Sequence, residues 1–143
     1  MVTAFPERSA TMNTAEWRRL SDDCLDGWNR HDVDDVVAWY DEPFVYRDPN
    51  TRGDIQRHDA LRDYLTKLFE RWEMTWSTCE VFPFDGSDGA AVTWNATFRL
   101  RTGPGRVDIR GIDILVLRDG KIARDDIFFD RSLLTALATT SAA

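Results

Sequence analysis

The period of the apolar residues changes once along this chain, near residue 73. Before that point apolar residues recur every three or four positions, as on helices. Beyond it they alternate, as on half-buried strands. Runs of helix followed by runs of strand argue for an α+β fold with helices packed on one face of a sheet. The alternation is cleanest at 90–101. There Val92, Trp94, Ala96, Phe98 and Leu100 face one way, and Thr93, Asn95, Thr97, Arg99 and Arg101 the other.

The helical half resolves into three segments. Asn13 with Glu16 three residues on reads as a capping box. Trp17, Leu20, Cys24 and Trp28 then form one apolar stripe. Asp32 caps a shorter helix that buries Val33, Val36, Val37 and Tyr40. A third helix runs from about Asp59 to Trp72, with Leu61, Leu65, Leu68, Phe69 and Trp72 inward. One strand, ending at Asp48, is inserted between the second and third helices. The other half gives four strands at 73–84, 90–101, 106–118 and 121–130, joined by Gly-rich turns. Asp130 caps a closing helix from Arg131 to Leu137. No repeat divides the chain, so 1–143 reads as one domain, with 1–12 and 138–143 expected to be loose.

The charge balance narrows the partners. With 25 acidic against 18 scattered basic residues, the net charge is −7, which argues against a nucleic-acid surface. Cys24 and Cys79 are too few and too far apart for a disulfide framework or a zinc motif. No secretory pattern or membrane-length apolar run is present, so a cytoplasmic location is the default. Two His, two scattered Cys and no phosphate-cradling loop imply neither a metal nor a cofactor. His31 and His58 read as surface or capping residues.

Two carboxylates stand out. Asp48 ends an apolar run and is pinned by Pro49, among Trp39, Tyr40, Phe44 and Tyr46. Burial among rings raises a carboxyl pKa and suits a general acid or base. The plainer alternative is a turn-starting Asp. Asp113 is the only acid in the run Arg110–Leu117 and is flanked by Ile112 and Ile114. An acid there is either satisfied by a partner or held protonated. Alternation puts Ile109, Gly111, Asp113 and Leu115 on one face, and Ile112, Ile114 and Val116 on the other. Both faces are largely apolar, so both are expected to be covered.

Several short stretches carry a resemblance to a known family. They are Trp28-Asn29-Arg30-His31-Asp32, Val45-Tyr46-Arg47-Asp48-Pro49, Ala60-Leu61-Arg62-Asp63-Tyr64-Leu65, Gly111-Ile112-Asp113, Asp119-Gly120-Lys121-Ile122 and Phe128-Phe129-Asp130. In this order and spacing they resemble the nuclear transport factor 2-like superfamily over residues 14–137. More narrowly, they resemble the SnoaL-like polyketide cyclases and ketosteroid isomerases. The resemblance implies a cone of three N-terminal helices on a strongly curved, mostly antiparallel sheet enclosing a pocket. It implies Asp48 as catalytic base and Asp113 as a neutral acid donating to an enolate oxygen. The isomerases place a tyrosine on the first helix where this chain has Cys24, a poor donor; Tyr40 is the candidate substitute. If Phe129 faces the pocket, Ile127 and Asp125 do too, making Asp125 a third candidate acid. Substrate contacts are expected from Cys24, Trp28, Tyr40, Tyr46, Leu65, Trp94, Phe98, Ile127 and Phe129.

The expected function is therefore a cofactor-independent enzyme. It would do acid/base chemistry, isomerisation or cyclisation through an enolate, on an apolar ring-containing small molecule such as a polyketide or steroid-like compound. One alternative is a non-catalytic small-molecule-binding or dimerisation module. Another is an epoxide hydrolase of the limonene-epoxide type, but Arg47 and Arg110 have the wrong parity to join Asp48 or Asp113 in an Asp-Arg-Asp set. A homodimer through Ile112, Ile114, Val116 and Phe128 is the expected assembly, with no nucleic acid and no membrane as partner.

Overall fold

A computed structural model describes residues 12–142. The first helix, α1 (Thr14–Asn29), starts where the capping box requires: the Asn13 side chain accepts from the Glu16 N–H, and Glu16 reaches back to the Asn13 N–H. Trp17 and Trp28 bury on the sheet side. The short α2 (Val33–Val37) is capped by Asp32 and buries Val36 and Val37. Tyr40, expected at the end of α2, instead opens strand β1 (Tyr40–Arg47). Helix α3 (His58–Arg71) turns Leu61, Leu65 and Phe69 inward.

Four further strands follow: β2 (Trp72–Pro83), β3 (Gly89–Leu100), β4 (Arg106–Arg118) and β5 (Lys121–Phe129). They form one sheet in the order β1-β5-β4-β3-β2. Every pairing is antiparallel except β1 with β5, which is parallel. That parallel edge is what brings the inserted early strand beside the last one. The inner face carries the alternation expected of β3: Val92, Trp94, Ala96, Phe98 and Leu100 are all buried. Helices α1 and α3 cover the curled inner face and leave a cavity against it.

Helix α4 (Ser132–Ala142) makes the helix count four and continues past Leu137, where the chain was expected to loosen. Leu134 is buried and Leu137 packs over Gly105. The expected loose segment 1–12 lies, but for Met12, outside the described residues. On the outer face Ile112, Ile114 and Val116 are half-buried, while Phe128 is 53% exposed. No helix among the described residues is long and apolar enough to cross a membrane.

Candidate active site

Strands β4 and β5 set two acids side by side. Asp113 lies opposite Ile127, and Asp125 lies opposite Leu115. The two carboxyls are thus diagonal neighbours on the inner face, within side-chain reach. The second oxygen of Asp125, Oδ1, is buried with no hydrogen-bond partner. Burial and the charge of Asp125 push the Asp113 carboxyl well above the usual range, so it keeps the proton. Burial pushes Asp125 up to about 6, against the protonated Asp113 carboxyl beside it and the hydrogen bond from Tyr40, which hold it down. Asp48 adds to the upward push on both. The pair therefore titrates as a unit holding one proton.

Each member is oriented by a ring. The Trp94 indole N–H donates to Asp113 Oδ1 at 2.7 Å. The Tyr40 hydroxyl donates to Asp125 Oδ2 at 2.6 Å. Gly111 makes the first contact possible. It pairs across the strands with Trp94, and a Cβ there would sit 2.3 Å and 2.5 Å from two atoms of the indole. Any side chain at 111 displaces the ring that holds Asp113.

Asp48 ends β1 as expected, but its carboxylate is already occupied. Oδ1 accepts the backbone N–H of Asn50 at 2.7 Å and of Thr51 at 3.1 Å. Oδ2 accepts the hydroxyls of Tyr46 at 2.7 Å and Tyr64 at 2.6 Å. A carboxylate offers about four acceptor positions, and all are filled. Burial and the Asp48 charge push both phenols above their ordinary range. Asp48 faces the cavity and ties the turn, β1 and α3 together.

The cavity has a volume of about 40 Å³, room for about three waters. Besides the three acids, its wall includes Trp28, Tyr46, Trp94, Phe98, Ile127 and Phe129, as expected. Cys24, Tyr40 and Leu65 are not on the wall. Leu65 is buried in the core beneath α3. Tyr40 lies behind Asp125 and acts through its hydroxyl. Cys24 is half-buried beside the acids, its thiol pushed up by burial and by Asp125.

Four wall residues escaped the sequence reading: Leu25, Asn50, Leu68 and Trp76. Trp76 was within reach, since it follows Trp72 and Met74 at strand spacing. Its ring packs at 4.5 Å from Trp94 and 5.5 Å from Trp28. Its indole nitrogen is buried and has no hydrogen-bond partner. Leu68 was placed inward on its helix but not at the pocket, and Leu25 follows helical spacing from Trp28. Nothing local marks Asn50.

Among the described residues no arginine lines the cavity; Arg47 pairs with Asp126 at 2.6 Å. His31, expected at the surface, accepts the Met74 N–H on its Nε2 at 3.1 Å. Among the described residues, no group of three or more His, Cys, Asp or Glu is placed to hold a metal ion.

Comparison with known proteins supports this picture at two levels. A family model described as a SnoaL-like domain matches residues 22–125. A search of curated proteins finds no match. Among solved structures, a Bacillus subtilis protein provisionally named an isomerase superposes with a TM-score of 0.80 at 15% identity, covering 91% of this chain and 98% of its own. A Mycobacterium tuberculosis epoxide hydrolase, described as LEH-like, gives 0.69 at 17% identity, with coverages of 90% and 93%. A Xanthomonas campestris protein provisionally named a polyketide cyclase gives 0.71 at 17% identity, with coverages of 83% and 93%. At these identities the likeness speaks to the fold, which other NTF2-like proteins share.

Proposed function

The chain belongs to the SnoaL-like domain family, and on that premise we propose that it is an enzyme of general acid/base chemistry acting next to a carbonyl on a small ring compound. The observation that carries the reading is the placing of Asp113 and Asp125 side by side on the wall of an aromatic cavity, with Asp125 Oδ1 left without a partner. A carboxyl at about 6 suits a base at neutral pH. A carboxyl kept neutral beside it suits a donor to developing negative charge.

The chemistry then runs in balance. Asp125 takes a proton from the carbon next to the substrate carbonyl. The C–H electrons form the enolate C=C bond, and the carbonyl electrons move onto oxygen. As Asp125 gains its proton it ceases to draw on the proton of Asp113, which passes to that oxygen or bonds to it. Return of the proton at another carbon isomerises the substrate. Attack of the enolate carbon on a second carbonyl closes a ring, and the new alkoxide takes the proton. The unpartnered indole N–H of Trp76 supplies the further oxygen donor that Cys24 cannot. The base role therefore goes to Asp125 rather than to the fully occupied Asp48. A cavity of about 40 Å³ is smaller than a six-membered ring, so a single-ring substrate reaches the acids only as the aromatic wall gives way, and four fused rings would need far more room. The epoxide-hydrolase alternative is not favoured, because it needs an arginine between acids.

The test is hydrogen–deuterium exchange at the α-carbon of cyclohexanone in deuterated buffer, followed by NMR. Wild type is expected to exchange faster than Asp113→Asn and Asp125→Asn by about 10²–10⁴-fold. Equal rates in wild type and the double variant refute the reading.

A further inference from the structure

Beyond the cavity, an open groove of about 620 Å³ runs between α3, α4 and the loop after β1. It shares Asn50 and Leu68 with the cavity as a common wall. Four cations line it: Arg52, Lys67, Arg71 and Arg131; no acid does. No carboxylate among the described residues lies within 4.0 Å of any of the four. Elsewhere among the described residues eight of thirteen cations hold a carboxylate, namely Arg30, Arg47, Arg57, Arg62, Arg99, Arg106, Arg118 and Arg124, and the unmatched ones, Arg18, Arg19, Arg101, Arg110 and Lys121, line neither the groove nor the cavity.

Local structure does not account for the cluster. Arg71 stacks on Trp72 at 5.7 Å and sits in the last turn of α3, where a cation suits the helix dipole. Lys67 is four residues earlier on the same helix, a spacing at which like charges repel. Arg52 and Arg131 come from other elements altogether. Arg131 donates to the Asn50 side chain at 2.9 Å, which places its charge at the wall shared with the cavity. Unmatched cations of one sign around a concave wall focus positive potential there. The cavity has the opposite character, with three aspartates on its wall. An anionic group is repelled from the cavity and held in the groove.

We propose that the groove is a binding site for the anionic end of the substrate, a single-ring compound carrying a carboxylate or phosphate on a short tether. This rests on the reading of the cavity as the reacting site: the ring lies against the aromatic wall beside the acids, and the anion stays on Arg52, Lys67 and Arg131. The charge thus sets which end enters and which carbon meets Asp125.

The cavity tryptophans report the test through quenching of their fluorescence. The probes are 3-phenylpropionate, 2-phenylethyl phosphate and the neutral 3-phenylpropanol, in 20 mM and 500 mM salt. At low salt at least one anion is expected to bind about tenfold or more tightly than the alcohol, and the stronger of the two identifies the anion class. The preference is expected to fall below about threefold in high salt and in the Arg52→Gln/Lys67→Gln variant, with alcohol affinity unchanged. Lys67→Glu, also on an exposed position, is expected to abolish it. The Asp113→Asn variant keeps the preference while losing α-carbon exchange, and a wild type that shows the preference but no exchange counts against the chemistry alone. Equal binding of anions and alcohol, no quenching by any probe, or a preference that survives the double substitution overturns the groove proposal.

Discussion

Asp125 is held at a cost that its substitution makes measurable. Its carboxyl sits at about 6 in the folded chain, against an ordinary 3.8. A raised carboxyl pKa means that the folded state binds more protons than the unfolded state between those two values. Its contribution to stability is therefore complete below about 3.8 and is lost as pH rises through about 6. At pH 8 the ionised group costs about 1–3 kcal/mol. Asp125→Asn is accordingly expected to melt several degrees higher than wild type at pH 8, with the advantage gone near pH 4, while α-carbon exchange is lost. A variant less stable than wild type at pH 8 would contradict the burial argument. At this scale the sequence was readable where one residue broke a local pattern. Asp113 was visible as a lone acid in an apolar strand, and Trp94 as an inward ring on a cleanly alternating one. Asp48 was visible too, but its four donors were not. Two are backbone groups of the following turn and one is Tyr64, sixteen residues on. Cys24 was assigned to the pocket by its match to the tyrosine that the isomerases carry on the first helix, although its neighbour Leu25 holds the wall position.

Elements are tied by side chains whose role depends on pH in the opposite sense. His31 sits at positive φ between α1 and α2 and accepts a backbone hydrogen bond from β2. Its ring also packs edge-on against Phe69 of α3, at 5.1 Å. Only the neutral imidazole can accept that bond. Burial, then the charge of Arg101, lowers its pKa. A lowered histidine pKa contributes stability that is complete above the unfolded value of about 6.5 and is lost as pH falls through the folded one. His31→Ala is expected to cost about 1–3 kcal/mol at pH 8 by leaving the Met74 N–H unpaired. That cost should shrink as pH falls towards 5; denaturant melts at both values measure it. A constant cost across that range would mean that the ring packs without accepting the bond. The helices themselves were legible because caps and stripes are local. The pairing of β1 with β5 was not, because no turn joins them and only the completed sheet makes them neighbours.

For the whole molecule, the outer face of the sheet remains the untested surface. The expected homodimer would cover Ile112, Ile114 and Val116 together with the exposed Phe128. Light scattering decides it: a dimer in wild type should give way to monomer in Phe128→Asp, and a monomeric wild type would rule out this assembly. The parallel edge has another consequence, which concerns the order of synthesis. Tyr40 and the acid it orients are 85 residues apart, and β1 has no strand beside it until β5 is made. A growing chain therefore carries Tyr40, Phe44 and Tyr46 as an orphaned edge while α3 and three strands are added. A chain that stops before β5 has neither Asp125 nor the strand that pairs with β1, so the two acids of the cavity meet only once translation has reached the final strand.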